Sequence, residues 1–99
     1  MVKHIVFFKL QGDSDNKNDG IQTLKDKLDK FKNKIPQIIN LETGINISTR
    51  SSAYDLALVT EFKNEGDLEI YRNHPEHQDI ITYIREAKIV SVVTDYIIG

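Results

Sequence analysis

Three stretches of this 99-residue chain are apolar on both faces of the strands they predict. In VKHIVFFKL, residues 2–10, Val2, His4, Val6, Phe8 and Leu10 fall on one face. Lys3, Ile5, Phe7 and Lys9 fall on the other. In KIVSVVTDYII, residues 88–98, Val90, Val92, Tyr96 and Ile98 oppose Ile89, Val93 and Ile97. In YDLALVTEF, residues 54–62, Ala57 and Val59 oppose Leu56 and Leu58. A sheet built from such strands must be covered twice. Helices of the same chain cover one face. The other then calls for a partner, because soluble monomers rarely expose apolar patches above a few hundred Å². The economical partner is a second copy, sheet against sheet, in a two-fold dimer.

The remaining segments supply those helices. Ile21, Leu24, Leu28, Phe31 and Ile35 are spaced 3, 4, 3, 4, the apolar stripe of a helix over about 20–35. Asn18 or Asp19 caps its start, and Pro36 follows its end. Before it, QGDSDNKNDG (11–20) predicts a polar, turn-rich connection. Lys25, Lys27, Lys30, Lys32 and Lys34 complement the dipole of its second half and predict a solvated face. IINLETGINIS, 38–48, alternates as a strand with Leu41, Thr43, Ile45 and Ile47 on one side. A short helix over 64–73 has Asn64 as its cap. Another, over about 75–85, begins at Pro75, which suits a first turn. The order is β-α-β-β-α-β with its second helical element broken at Pro75. That is an α+β, ferredoxin-like protomer, one domain over 1–99 with a four-stranded antiparallel sheet.

Composition removes several classes of function. With no cysteine, disulfides, thiolate catalysis and Cys-ligated zinc are excluded. A net charge of −2 lacks the basic footprint of a nucleic-acid binder. RNA-recognition modules share this element order, but YDLALVTEF has neither the basic residue nor the glycines of their third strand. The run Ile5–Phe8 is too short for a signal peptide, which needs roughly 7–15 apolar residues. A membrane helix needs about 20. The cytoplasm is the expected location.

Chemistry concentrates in YRNHPEHQDI, residues 71–80. It holds Tyr71, His74, Glu76 and His77 around Pro75. Each has a plain structural explanation: Tyr71 packs in the core, His74 caps the helix at Pro75, and His77 bonds a backbone group. His4, on the face of Val6 and Phe8, is a core histidine by the same logic. His74, Glu76 and His77 match no standard zinc spacing, so no metal or cofactor is assigned.

Three features taken together resemble one family. They are Val2-Lys3-His4-Ile5-Val6, then Ile35-Pro36-x-Ile38…Leu41-x-x-Gly44-x-Asn46-x-Ser48, and Leu68-x-x-Tyr71-x-x-His74-Pro75-x-His77. The chain is similar over residues 2–98 to the Dabb family, dimeric α/β-barrel domains often labelled stress-responsive. The resemblance implies a homodimer whose sheets form a barrel, a small-molecule pocket, and no assigned activity for most members. One plant branch is similar to a cofactor-free polyketide cyclase. Its catalytic pair falls by motif on Tyr71 and His77, with His4 and His74 as ligand-binding candidates. That cyclase has a histidine in the third strand where this chain has Leu56.

The pair is chemically adequate for enolisation, aldol or lyase steps on a small carbonyl compound. Histidine titrates near neutrality and accepts a proton from carbon. A tyrosine hydroxyl donates to an oxygen on which charge develops. On one continuous helix the two side chains would point about 120° apart. A break at Pro75 lets them converge. The other outcome is a non-catalytic dimeric domain that binds a small ligand.

Overall fold

The structure, a computed structural model, describes residues 1–99, apart from the side chain of Ser14. Eight elements follow in order: β1 (Val2–Lys9), α1 (Ser14–Asp29), α2 (Phe31–Lys34), β2 (Asn40–Ile45), β3 (Leu56–Phe62), α3 (Glu65–Asn73), α4 (Pro75–Glu86) and β4 (Val90–Ile97). The strands form one antiparallel sheet in the order β2-β3-β1-β4. This is the ferredoxin-like arrangement that the period changes along the sequence predict. Among the described residues no helix is long and apolar enough to cross a membrane.

The register sorts the strand residues onto two faces. Val2, His4, Val6 and Phe8 of β1 pair with Phe62, Thr60, Leu58 and Leu56 of β3 on one face, and all eight are buried. The helices supply the rest of that core through Ile21, Leu24, Leu28, Phe31 and Ile35. This is the predicted 3, 4, 3, 4 stripe, and it continues across the one-residue interruption at Lys30 between α1 and α2. Phe62 is fully buried, and its ring lies 5.0 Å from that of Tyr71. Phe62→Ala should lower the unfolding free energy by about 3–5 kcal/mol, read from urea denaturation midpoints. A loss under about 1 kcal/mol would mean that the core collapses around the gap.

Two boundaries differ from the sequence reading. The helix expected from residue 20 begins at Ser14, inside the segment expected to be a polar connection. Its cap is Asp13, whose carboxylate accepts the Asn16 N–H at 3.0 Å, and not Asn18 or Asp19. The first turns, SDNKND over 14–19, hold no apolar residue, so periodicity is silent there. Gly12, at φ +113°, makes the turn into that cap, a conformation that favours glycine. The second strand ends at Ile45 rather than near Ser48, and Ile47 lies almost wholly exposed. Asn64 caps α3 as predicted, accepting the Asp67 N–H at 2.9 Å.

The helices leave β4 uncovered. All eight of its residues are exposed, including Val93 and Ile97 on the helix side of the sheet. On the far face Phe7, Val90, Val92 and Tyr96 form an exposed apolar surface.

Candidate functional site

The site is built by one kink. A residue before proline is pushed out of the helical region into an extended conformation. His74 accordingly sits at φ −66°, ψ 138°, ending α3 and opening α4. Its Nδ1 accepts the Glu76 N–H at 3.1 Å, which makes it the N-cap of α4. The bend turns two side chains toward each other that a straight helix would hold apart. The rings of Tyr71 and His77 come to 4.5 Å between centroids, and the His4 ring lies 5.6 Å from that of Tyr71. Tyr71, His77 and His4 thus meet in one place. His74 does not join them.

They meet in a cavity of about 450 Å³ between the helices and the sheet. That is within the ~300–1,000 Å³ usual for small-molecule sites. Val6, Leu28, Leu58, Ile80, Ile84 and Val93 give it an apolar wall. Phe31 stands edge-on to Tyr71, with centroids 5.9 Å apart. Its place in the helical stripe announced a core residue, and it also lines the cavity.

Tyr71 and His77 are each held in a definite state. The Arg72 carbonyl, left without a helical partner at the end of α3, accepts from His77 Nδ1–H at 3.1 Å and from Gln78 Nε2 at 2.7 Å. That fixes the His77 tautomer with the proton on Nδ1 and a lone pair on Nε2. Burial lowers the His77 pKa from its ordinary 6.5. The bond to the Arg72 carbonyl opposes the shift, and the charges of His4 and Arg72 add to it. The Tyr71 pKa is raised, first by burial and then by the charge of Asp95, so its hydroxyl stays protonated. Tyr71 is only 1% exposed. Neither its hydroxyl nor His77 Nε2 makes a hydrogen bond to the protein among the described residues, and both residues line the cavity.

A second layer holds His4. Its Nδ1–H donates to Asp95, directly opposite it on β4. Asp95 also accepts from Arg72 Nη2 at 2.5 Å, and Arg72 Nη1 reaches Glu69 at 3.1 Å. The chain from His4 through Asp95 to Arg72 and Glu69 ties β1, β4 and α3 together at the cavity. Among the described residues no cluster of three or more His, Asp or Glu side chains is arranged to hold a metal ion.

A model of the stress responsive A/B barrel domain, Dabb, matches residues 2–98. The chain belongs to the Dabb family. An uncharacterized protein of Streptomyces coelicolor is 32% identical, with 97% of this chain and 98% of that protein aligned. A crystal structure from Bacteroides fragilis, described as a dimeric protein of unknown function with a ferredoxin-like fold, is 32% identical with a TM-score of 0.84. That match covers 98% of this chain and 95% of that one. Hydroxynitrile lyase from Passiflora edulis shares the fold with a TM-score of 0.82 at 19% identity, over 99% and 93% of the two chains.

Within this Dabb domain the sequence did not single out Arg72 or Asp95. Asp95 lies 91 residues from His4 along the chain and meets it only through the β1–β4 register. No local pattern announces such a pair. Gln78, beside His77, was equally silent.

The lowered His77 pKa has a measurable consequence. The folded state binds this proton less readily than the unfolded chain, so the contribution to stability is complete above about pH 6.5. It is lost as the pH falls below that value toward the folded pKa. His77→Gln should therefore lose less stability than the wild type between about pH 7.5 and pH 5, by urea denaturation at each pH. Equal losses in the two proteins would place the acid sensitivity elsewhere.

Proposed function

We propose that this chain is a homodimeric Dabb domain whose cavity binds a small carbonyl compound. The observation that carries this reading is the pair of polar groups free of protein hydrogen bonds, the Tyr71 hydroxyl and His77 Nε2, side by side in a cavity with a polar end and an apolar wall. Both groups line the cavity, so a ligand carbonyl oxygen there could accept from the Tyr71 hydroxyl with His77 Nε2 beside it. Support for the dimer comes from the exposed apolar surface of Phe7, Val90, Val92 and Tyr96. The Bacteroides fragilis relative, described as dimeric, adds to it.

The test is thermal unfolding in the presence of benzylacetone, a ketone with an aromatic tail suited to the apolar wall. A ligand at ten times its Kd adds about 1.4 kcal/mol. For a domain of this size each kcal/mol raises Tm by roughly 4–8 °C. No shift with benzylacetone or a panel of related ketones and aldehydes would overturn the reading.

A second reading goes one step further, and the His77 tautomer favours it. His77 Nε2 takes a proton from the carbon beside the bound carbonyl. The electron pair of that C–H bond moves to the carbonyl oxygen, which accepts a hydrogen bond from Tyr71. The imidazolium exchanges that proton with solvent, and its return to the carbon restores the ketone, now carrying solvent hydrogen. This step needs no metal and no cofactor. A lyase occurs on the same fold in Passiflora edulis.

A further inference from the structure

We infer that Asp95 makes this cavity select uncharged carbonyl compounds and reject carboxylates of the same shape. The inference rests on the reading of the cavity as a ligand site and names the charge class that the site takes. Its warrant is the disposition of charge at the polar end. Besides His77, two side chains lining the cavity can carry positive charge, Arg72 and His4, and Asp95, behind the lining, engages both. Arginine ordinarily seizes a ligand carboxylate through its paired N–H groups. Here each terminal nitrogen already meets a protein carboxylate, Nη1 Glu69 at 3.1 Å and Nη2 Asp95 at 2.5 Å, so the charge of Arg72 is matched within the protein. Two carboxylates thus face the guanidinium and the imidazole of His4, and neither is left unpaired for a ligand.

The donor beside His77 is the neutral Tyr71 hydroxyl. The negative charge of Asp95 reaches that oxygen, since it is one of the two causes that keep Tyr71 from ionising. A ligand carboxylate at the same oxygen would meet the same repulsion that a phenolate meets. A ketone or aldehyde oxygen accepts the hydroxyl without it. His77, held on the Arg72 carbonyl through Nδ1, offers a lone pair and not a positive charge. Solvent screens the arrangement only in part, because Asp95 keeps 25% of its side-chain exposure.

Asp95 is therefore a positioning residue for Arg72 and His4 and the determinant of charge preference at the site. Acids of the ligand's skeleton, the oxidation products of an aldehyde for example, would be released rather than retained.

The experiment compares benzylacetone with hydrocinnamate, in which a carboxylate oxygen replaces the ketone methyl group on the same skeleton. Both are titrated at pH 8 into the wild type and into Asp95→Asn, followed by NMR chemical shifts. Asparagine keeps the shape and an acceptor for His4, removes the charge and releases Arg72. The wild type should bind the ketone at least about tenfold more tightly than the acid. Asp95→Asn should shrink that ratio to near unity or invert it. Glu69→Gln, a change at an exposed side chain, should move the ratio the same way by less and stands in if Asp95→Asn fails to fold. Equal wild-type affinities for the two ligands, or a ratio unmoved by the variants, would overturn the inference and leave the ligand site standing. Binding of neither ligand would remove the site itself, and the inference with it.

Discussion

Replacing His77 with alanine is expected to slow the exchange of benzylacetone's α protons with deuterated solvent by about 10²–10⁴-fold, the usual contribution of one positioned acid–base group. The wild type should accelerate that exchange over buffer, followed by the loss of proton NMR signal at the carbon beside the carbonyl. The prediction joins two links. The kink at His74-Pro75 brings His77 to within 4.5 Å of Tyr71, centroid to centroid, and the Arg72 carbonyl fixes which nitrogen is bare. Tyr71→Phe keeps the buried ring and removes only the hydroxyl. It should also slow exchange, by about 10²–10³-fold, as for the loss of one donor to a developing oxyanion. The wild-type rate should fall only on the acid side, because the lowered pKa keeps Nε2 free through neutrality. Rates in the wild type equal to the buffer blank, with the ketone still bound, would reduce the site to a binding pocket.

How far this site was legible follows from which residues cooperate locally. Tyr71, His74, Pro75 and His77 lie within seven positions, and the restriction that proline imposes on its predecessor is a local rule. The convergence of Tyr71 and His77 could therefore be anticipated, and so could the cap at His74. His4 was recognisable as a buried polar residue on a strand face. Its partner was not, because the β1–β4 register is set by pairing over 91 residues of separation. The same contrast runs through the fold. The stripe from Ile21 to Ile35 marked the buried helix face residue by residue, because burial imposes the period. The first turns of α1 hold no apolar residue and left no trace beyond Asp13, one polar residue among many. The two-faced strands pointed to a second covering layer. The bare helix side of β4 did not follow from them, since a strand's own residues do not record how far a helix layer extends.

Val92→Glu is the change expected to act most strongly on assembly. In one protomer Val92 is 44% exposed on the far face of the sheet, opposite Phe7 at 46%. A carboxylate there remains solvated in the isolated protomer, and the fold should tolerate it within about 0.5 kcal/mol, as for ordinary surface positions. In a sheet-to-sheet dimer the same carboxylate is buried without a partner. Lys3 and Lys9 lie toward the ends of β1 on that face, and Lys3 is already engaged with Glu61 at 3.8 Å. An uncompensated buried charge costs about 3–5 kcal/mol. Two-fold symmetry places two of them in each dimer, which makes the dissociation constant weaker by at least about 10⁴-fold. Sedimentation at micromolar concentration should then report twice the protomer mass for the wild type and the protomer mass for Val92→Glu. Ile70→Glu, at an exposed position on α3 rather than on the sheet, should leave the mass unchanged. A Val92→Glu protein that still sediments as a dimer would move the interface off this face. The apolar surface of β1 and β4 would then require a different covering partner, because a sheet face this apolar is not left to water.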